Sequence, residues 1–244
     1  MQSLEIIYED EDIILCRKPA GVATQTKRLG QQDMESLLKN YRAKKKEPPY
    51  IGVVHRLDQP VEGLMVFAKN QKAAAGLSKQ IQQKMIGKHY YAVSVHMPEK
   101  KEGRLEDYLI TDKKTNVTSV VQERMNSENG ERRDVRTING NVPKEAKKAI
   151  LEYKVIDEKD GICLFDIQLH TGRQHQIRVQ MAHMGCPLVG DNKYGENTPD
   201  VVGKKEGLAL CSYRLSFTHP MTGKTMDFSI VPRGTAFEAF KISE

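Results

Sequence analysis

The sequence predicts an α+β fold built around a largely antiparallel sheet. Apolar runs of strand length outnumber helical patterns along the 244 residues, and several of them are joined by short turns that suit antiparallel neighbours. Hydrophobic residues make up 39% of the chain, which is enough for one compact domain or two closely packed lobes with a sizeable core.

The first half of the chain contains five predicted strands and one predicted helix. The predicted strands are residues 4–8, 13–16, 51–57, 63–69 and 90–96. Asn70 is a suitable N-cap for a helix over residues 71–86, whose apolar residues recur at helical spacing, and Gly87 occupies the C-cap position. Residues 22–49 form a polar, basic stretch without an assigned element.

The second half predicts two hairpins with a helix between them. Their strands are residues 150–156 and 162–170, closed by Asp160-Gly161, and residues 209–218 and 225–231. The spacing of residues 171–174 is that of a capping box, which predicts a helix that begins there and ends at Gly185. The charged segment from about residue 98 to 145 predicts hairpins and surface loops.

Charge favours a polyanionic partner. The formal net charge is +6, and two segments concentrate basic residues: 39–46 and 131–148. The first holds five basic residues and no acid, and the second holds six basic and three acidic residues. Either cluster alone could be a solvated loop or a phosphate-binding surface.

Several classes of protein are disfavoured. No apolar run approaches the ~18–20 residues of a membrane span, and the acidic N-terminus does not resemble a secretion signal. The four cysteines are scattered, which favours reduced thiols in a cytoplasmic protein. Nucleotide-binding glycine motifs and metal-ligand spacings are missing from the sequence, so neither a cofactor nor a metal is expected.

Three stretches combine reactive side chains with tight turns. Asp58 directly follows a predicted strand, two residues after Arg56, and could be a nucleophile, a general base, a metal ligand or a loop cap. Lys88 and Tyr90 lie at a strand start, where a tyrosine either stacks on a base or joins the core. Arg173 falls in a predicted first helical turn, where a cation costs about 0.3–1 kcal/mol unless an anion is nearby.

Together, these stretches resemble the RluA-type pseudouridine synthases. The segments that carry the resemblance are residues 8–14, 18–21, His55-Arg56-Leu57-Asp58 with Gly63-Leu64 and Ala68-Lys69, Lys88-His89-Tyr90, 171–178, 187–191 with Tyr194-Gly195, and 208–220. Five or more motifs in the right order, over nearly the whole chain, are highly specific. The resemblance implies a mixed, largely antiparallel sheet with flanking helices and an RNA-binding cleft, and cofactor-free isomerisation of a uridine in a structured RNA.

The resemblance also implies three catalytic residues. Asp58 would be the nucleophile, attacking either the base or the sugar. Arg173 would pair with Asp58 and hold it ionised. Tyr90 would stack on the uracil and serve as acid or base at C5.

Four further residues would bind the substrate. Arg56 would enter the RNA helix and help to hold the target base out of the stack. Ile177 would line the pocket, and Lys18 and Lys88 would contact phosphates.

The chain departs from the family pattern in two places. Val61-Glu62 stands where Thr-Ser is common, which adds a carboxylate near the site. The catalytic pattern begins by residue 8, so we expect residues 1–244 to be one catalytic domain without an N-terminal RNA-binding domain. That suggests a monomer acting on a tRNA or a short rRNA hairpin.

Two other functions remain open at this point. The first is an RNA-binding protein that has lost activity, which the intact Asp58, Tyr90 and Arg173 disfavour. The second is a carboxylate-dependent glycoside hydrolase, for which Glu62 is the nearby second carboxylate.

Overall fold

A computed structural model of the chain describes residues 4–28, 30–122, 135–136, 142–195 and 207–242. The strands in these ranges are β1 (Glu5–Glu9), β2 (Ile13–Lys18), β3 (Gly52–Val53), β4 (Glu62–Ala68), β5 (Gly87–Ser94), β6 (Glu102–Asp112), β7 (Val117–Gln122), β8 (Val135–Arg136), β9 (Lys147–Lys159), β10 (Ile162–Leu169), β11 (Leu210–Thr218) and β12 (Thr225–Ser229). The helices are α1 (Met34–Lys44), α2 (Gln71–Gln82), α3 (Gln176–His183) and α4 (Thr235–Glu238).

The described strands form one mixed sheet in the order β1-β2-β4-β11-β5-β10-β9-β6-β7-β8, with β12 added to β11 and β3 to β4. The β4–β11 and β7–β8 pairs are parallel and the others are antiparallel. This arrangement confirms the predicted α+β fold.

The apolar runs of β2 and β4 are continuous because each strand is buried on both faces. In β2, Ile14 and Cys16 join a core that includes residues of α1 and α3, while Ile13 and Leu15 join a second core with α2. Since side chains alternate between the faces of a strand, such a position requires apolar residues throughout.

The helix after Asn70 is confirmed, and its predicted end is wrong. The Asn70 side chain accepts a hydrogen bond from the backbone N–H of Ala73, as an N-cap should. The helix ends at Gln82, the left-handed residue after it is Lys84, with φ of 57°, and Gly87 begins β5. The hairpin closed by Asp160-Gly161 is confirmed, and both turn residues have positive φ.

Helix α1 was not predicted, because its basic residues obscure its amphipathic pattern. Asp33 caps it by accepting a hydrogen bond from the backbone N–H of Ser36. Met34 and Leu38 are buried at i, i+4 spacing, and the next position on that face is Arg42, which is also buried. A charged residue on a buried face breaks the pattern that sequence reasoning depends on.

Helix α3 begins at Gln176, four residues later than a capping box at residues 171–174 predicts. The Thr171 hydroxyl donates a hydrogen bond to the side-chain oxygen of Gln176, which also accepts one from the Arg173 backbone N–H. His175 occupies the N-cap position with φ of 52° and no side-chain cap. Arg173 is therefore outside the helix, and the predicted cost of a cation in the first helical turn does not apply to it.

No helix in the described part of the chain has both the length and the apolar character needed to cross a membrane.

Candidate active site

A cleft of about 1490 Å³ lies where residues 23–28, residues 53–61, the α2–β5 connection and residues 168–178 converge. Six of the seven predicted site residues line it, namely Arg56, Asp58, Lys88, Tyr90, Arg173 and Ile177. Asp58 is the only carboxylate among the described lining residues, and its side chain is 29% exposed.

The backbone on the N-terminal side of Asp58 is fixed by Thr24. The Thr24 hydroxyl donates a hydrogen bond to the carbonyl oxygen of Leu57 at 3.0 Å and accepts one from the Leu57 backbone N–H at 3.2 Å. The carbonyl oxygen of Asp58 accepts a hydrogen bond from the Val61 N–H at 3.0 Å, which closes a tight turn. The Asp58 side chain therefore projects into the cleft from a well-supported backbone.

Lys18 supports the other side of this turn. Its ammonium group is fully buried and donates to the carbonyl oxygens of Pro19, Val22 and Gln59, at 2.9, 2.6 and 3.1 Å. Burial lowers the pKa of Lys18 to about 8, against the opposing effect of the negative charges of Asp58 and Glu62. The prediction that Lys18 contacts a phosphate is wrong, because its three donors are used inside the protein.

Arg178, and not Arg173, is the arginine that faces Asp58. Nη1 of Arg178 lies 3.8 Å from Oδ2 of Asp58. The same guanidinium binds Asp191 through two hydrogen bonds, of 2.8 Å from Nε and 2.6 Å from Nη2, so its position is fixed.

The predicted pair between Arg173 and Asp58 is wrong. Nε of Arg173 donates to the carbonyl oxygen of Lys148 at 2.9 Å, and the side chain is exposed at the cleft wall. Because α3 begins only at Gln176, Arg178 is in its first turn with a buried side chain and Arg173 lies in the loop before it.

His175 approaches Asp58 from the same direction as Arg178. Its Nε2 lies 3.9 Å from Oδ2 of Asp58, and its Nδ1 lies 2.7 Å from the Tyr194 hydroxyl. Burial lowers the pKa of His175, with Asp58 opposing that shift, so the ring is neutral near pH 7.

Tyr90 lies on β5 and lines the cleft, with 6% of its surface exposed. Burial raises the pKa of Tyr90, and the charge of Asp58 adds to the shift while a hydrogen bond with Ser212 opposes it. The phenol therefore stays protonated in the free protein.

Ser212, the partner of Tyr90, lies on β11 opposite Gly63 of β4. A Cβ on Gly63 would lie 2.5 Å from the Ser212 Cβ, so only glycine permits this approach.

Arg56 and Lys88 are cations of the cleft without a partner among the residues that the structure describes. Neither makes an ion pair or a hydrogen bond with another residue of the described ranges. Arg56 is exposed, whereas burial lowers the pKa of Lys88. A Cβ placed on Gly172 would lie 3.6 Å from the Lys88 ammonium, which locates that charge at the cleft wall.

Comparison with known proteins identifies the family. The model of the RNA pseudouridylate synthase family matches residues 12–183. The chain belongs to this family.

Two curated relatives and one solved structure agree with that assignment. "Ribosomal large subunit pseudouridine synthase D" of Nitrosomonas europaea is 30% identical over 91% of this chain and 60% of its own length. An uncharacterised RNA pseudouridine synthase of Aquifex aeolicus is 33% identical over 93% of this chain and 69% of its own length. The chain thus spans about 60–70% of these relatives, and the RluA-type resemblance is confirmed.

The fold is also that of the family. The structure of Human RNA Pseudouridylate Synthase Domain Containing 4 superimposes with a TM-score of 0.70 at 21% identity, covering 93% of this chain and 87% of that one.

Glu62, the departure from the family pattern, is turned away from the cleft. It is buried, with Oε1 3.1 Å from Nη1 of Arg17, and its Oε2 accepts a hydrogen bond from the Arg233 backbone N–H at 3.0 Å. Burial raises the pKa of Glu62, and Arg17 and Arg233 oppose that shift. The expectation that Glu62 adds a carboxylate to the site is wrong, because its charge is neutralised elsewhere.

Of the two predicted basic clusters, the structure describes the first completely and the second in part. In the first, Arg42 is buried and donates to backbone carbonyls of Tyr50 and Lys69, so it cannot contact a phosphate. Lys39 pairs with Glu35, and Lys45 contacts Glu9. Half of the second cluster, residues 131–134 and 137–141, lies outside the described residues, and in the other half Lys148 pairs with Glu106.

One further group of side chains is close enough to share an ion: Asp10, Asp12 and His219. The Asp10 carboxylate already accepts hydrogen bonds from Tyr8, from His219 and from two backbone N–H groups. The His219 Nδ1 accepts from the backbone N–H groups of Met221 and Thr222. These atoms tie two turns together and leave few lone pairs for a metal.

Sequence reasoning missed His175, Arg178 and Tyr194. All three fall within or next to recognised motifs, but the motif does not say which side chain turns toward Asp58. The available signal was the pair Arg178 and Asp191, a cation and an anion in adjacent motifs that the structure shows to be buried together.

Proposed function

We propose that this protein is an RNA pseudouridine synthase that isomerises a specific uridine in a structured RNA with Asp58 as its nucleophile. The observation that carries the proposal is the isolated carboxylate of Asp58, braced by Thr24 and the Lys18 loop and flanked by Arg178 and His175. Membership of the family supports the reaction, and the cleft supports the assignment of the residue.

The reaction breaks the N1–C1′ bond of uridine, turns the base and rejoins it through C5. Asp58 attacks the base or the sugar, and the Arg178 guanidinium lies 3.8 Å from Oδ2 of this nucleophile. Since the Tyr90 phenol is protonated in the free protein, its first role is to stack on the uracil. Once Asp58 is consumed in a covalent bond its charge is lost, which removes one cause of the raised Tyr90 pKa and makes proton transfer at C5 easier.

Three cations at the cleft are proposed to hold the RNA. Arg56 fits the role of entering the helix beside the flipped nucleotide, and Lys88 and Arg173 suit phosphates at the cleft wall. Ile177 is buried beside the cleft and offers the base an apolar contact. A tRNA or rRNA stem-loop is the proposed substrate class, because a loop nucleotide costs less to flip than a paired one.

The glycoside hydrolase alternative loses its second carboxylate, since Asp58 has no acidic companion among the described lining residues. Digestion of RNA after incubation separates the alternatives. Isomerisation leaves the mass of the RNA unchanged and converts uridine to pseudouridine, whereas hydrolysis releases free base. An RNA-binding protein without activity would do neither.

The substitution Asp58→Asn tests the nucleophile. An amide of nearly the same volume cannot form the covalent intermediate, so we expect no detectable pseudouridine while folding and RNA binding persist. Quantification of pseudouridine in digested RNA, with circular dichroism and a binding titration as controls, measures all three. Turnover by a variant verified to be free of deamidation back to Asp would contradict the assignment.

The substrate class has its own test. We expect isolated hairpins carrying a loop uridine to be modified at a rate comparable to that of the full RNA. Modification of intact ribosomal subunits alone, with every isolated hairpin inert, would show that the recognised structure is larger than a stem-loop.

A further inference from the structure

His175 has a backbone conformation that needs an explanation. Its φ of 52° lies in the left-handed region, which costs a non-glycine residue roughly 1–2 kcal/mol. The residue does not cap α3 with its side chain, so the conformation brings no helix-capping hydrogen bond. It does bring the ring, 8% exposed, to the nucleophile.

The ring is held from the side away from Asp58. Its Nδ1 is 2.7 Å from the Tyr194 hydroxyl, and that hydroxyl oxygen accepts a hydrogen bond from the Thr118 backbone N–H at 2.9 Å. Since Thr118 supplies one donor to the oxygen, the hydroxyl proton is available to donate to Nδ1. When the hydroxyl donates to Nδ1, the ring proton of neutral His175 is on Nε2, the atom that faces Asp58.

The charged groups around the ring are Asp58, Arg178, Lys193 and Asp191. Arg178 is held by Asp191 in a two-bond pair and also faces Asp58, and the Lys193 ammonium donates to the carbonyl oxygen of Asn116. The neutral His175 ring can therefore donate a hydrogen bond in a fixed direction toward Asp58. A second cation at this position would add positive charge without fixing that direction.

We propose that His175 is a positioning residue for Asp58, held by Tyr194, whose Nε2–H orients the attacking carboxylate. This inference rests on the proposed function. The 3.9 Å separation of Nε2 from Oδ2 shortens to a hydrogen bond when the substrate fills the cleft, because catalytic hydrogen bonds commonly tighten on binding. Arg178 supplies the charge and His175 the direction.

The substitution His175→Asn is the first test, since asparagine tolerates left-handed backbone and is too short to reach Asp58. We expect the single-turnover rate at saturating RNA to fall about 10- to 100-fold, with the dissociation constant for RNA changed by less than about 2-fold. Tyr194→Phe keeps the ring that packs against Arg178 and removes only the anchoring hydroxyl, so we expect a smaller loss in the same direction. The matched control is His183→Asn, the same change at the exposed end of α3, which should leave the rate within about 2-fold.

Chemical rescue separates positioning from a merely structural role. His175→Gly keeps the left-handed backbone and leaves a space for free imidazole. We expect imidazole to restore the rate of this variant by about 5-fold or more, and to have no effect on wild type or on Asp58→Asn.

Full activity of His175→Asn would overturn the inference. Loss of RNA affinity and thermal stability in parallel with the rate, together with an absence of imidazole rescue, would overturn it as well. An inactive wild-type protein would instead refute the proposed function, so the two failures are distinguishable.

Discussion

Two basic regions of the molecule use their charge in opposite ways. On α1, the cations are largely satisfied within the protein: Arg42 by backbone carbonyls and Glu47, Lys39 by Glu35, and Lys45 by Glu9. In the cleft, Arg56 and Lys88 have no partner among the described residues. The α1 segment is denser in charge along the sequence, yet three of its five basic residues are already paired within the protein.

The two lysines predicted as phosphate contacts show the same contrast. Lys18 is fully buried with all three donors used, and Lys88 lies at the cleft wall with none used by the residues that the structure describes. Charge that is already paired supports the fold, and unpaired charge beside a cleft is available for RNA. Substitutions in the two regions can therefore break or sharpen this distinction.

The largest expected effect is the difference in reaction rate between two substitutions, Arg178→Gln and Arg173→Gln. Arg178→Gln removes the cation that faces Asp58, and we expect the single-turnover rate to fall by about 100-fold or more. Arg173→Gln removes an exposed cation, so it should weaken RNA binding more than it slows the reaction. Rates measured at saturating RNA, together with dissociation constants, distinguish the two.

Folding must be controlled in that experiment, because Arg178→Gln leaves Asp191 buried without its partner, which costs about 3–5 kcal/mol. The double variant Arg178→Gln, Asp191→Asn removes both charges, so stability should recover while the rate stays low. An active double variant combined with an unchanged RNA-binding curve for Arg173→Gln would show that neither arginine acts as proposed.

The burial of His55 at the cleft, next to the unpaired Lys88, makes stability depend on pH. Burial lowers the pKa of His55 to about 4, and Lys88 adds to the shift, against about 6.5 in the unfolded chain. Between these values the unfolded state binds more protons, so stability falls as pH decreases from 6.5 toward 4. We expect His55 to contribute about 2 kcal/mol to the loss of unfolding free energy between pH 7 and pH 5.

Urea unfolding at the two pH values measures that loss. His55→Gln is the control, because a glutamine oxygen can still accept the hydrogen bond that the Val66 N–H donates to Nε2 of His55. The pH dependence of this variant should be smaller by about the stated amount, and an unchanged dependence would assign the effect to other groups.

The smallest effect compares one lysine from each region. Lys88→Met removes an unpaired cleft cation, and we expect RNA affinity to fall about 5- to 10-fold, with a salt dependence shallower by about one ion. Lys39→Met removes a lysine already paired with Glu35 and should change affinity by less than about 2-fold. Equal losses in the two variants would mean that α1 also binds RNA, as the density of basic residues in its sequence suggests.

Local sequence patterns correctly predicted the elements that begin or end with a recognisable cap or turn. Asn70 marked the start of α2, and Asp160-Gly161 marked the β9–β10 hairpin, since caps and turns act through backbone groups a few residues apart. Helix α1 was not predicted because Arg42 lies on its buried face. The hydrogen-bond partners of Arg42, Tyr50 and Lys69, lie outside the helix, so the periodicity of the helix sequence does not reveal them.

The sequence by itself determined the α+β class, the family and the placement of Asp58 and Tyr90 at one cleft, because these residues lie within motifs that fix the backbone around them. Only the tertiary structure decided which arginine faces Asp58, which lysine remains free, and that Glu62 is turned away. Those outcomes depend on contacts between residues far apart in the chain, such as Asp58 with Arg178 and Lys18 with Gln59. Spacing along a sequence limits which side chains can meet locally, whereas the packing of strands and helices selects the partner across such distances.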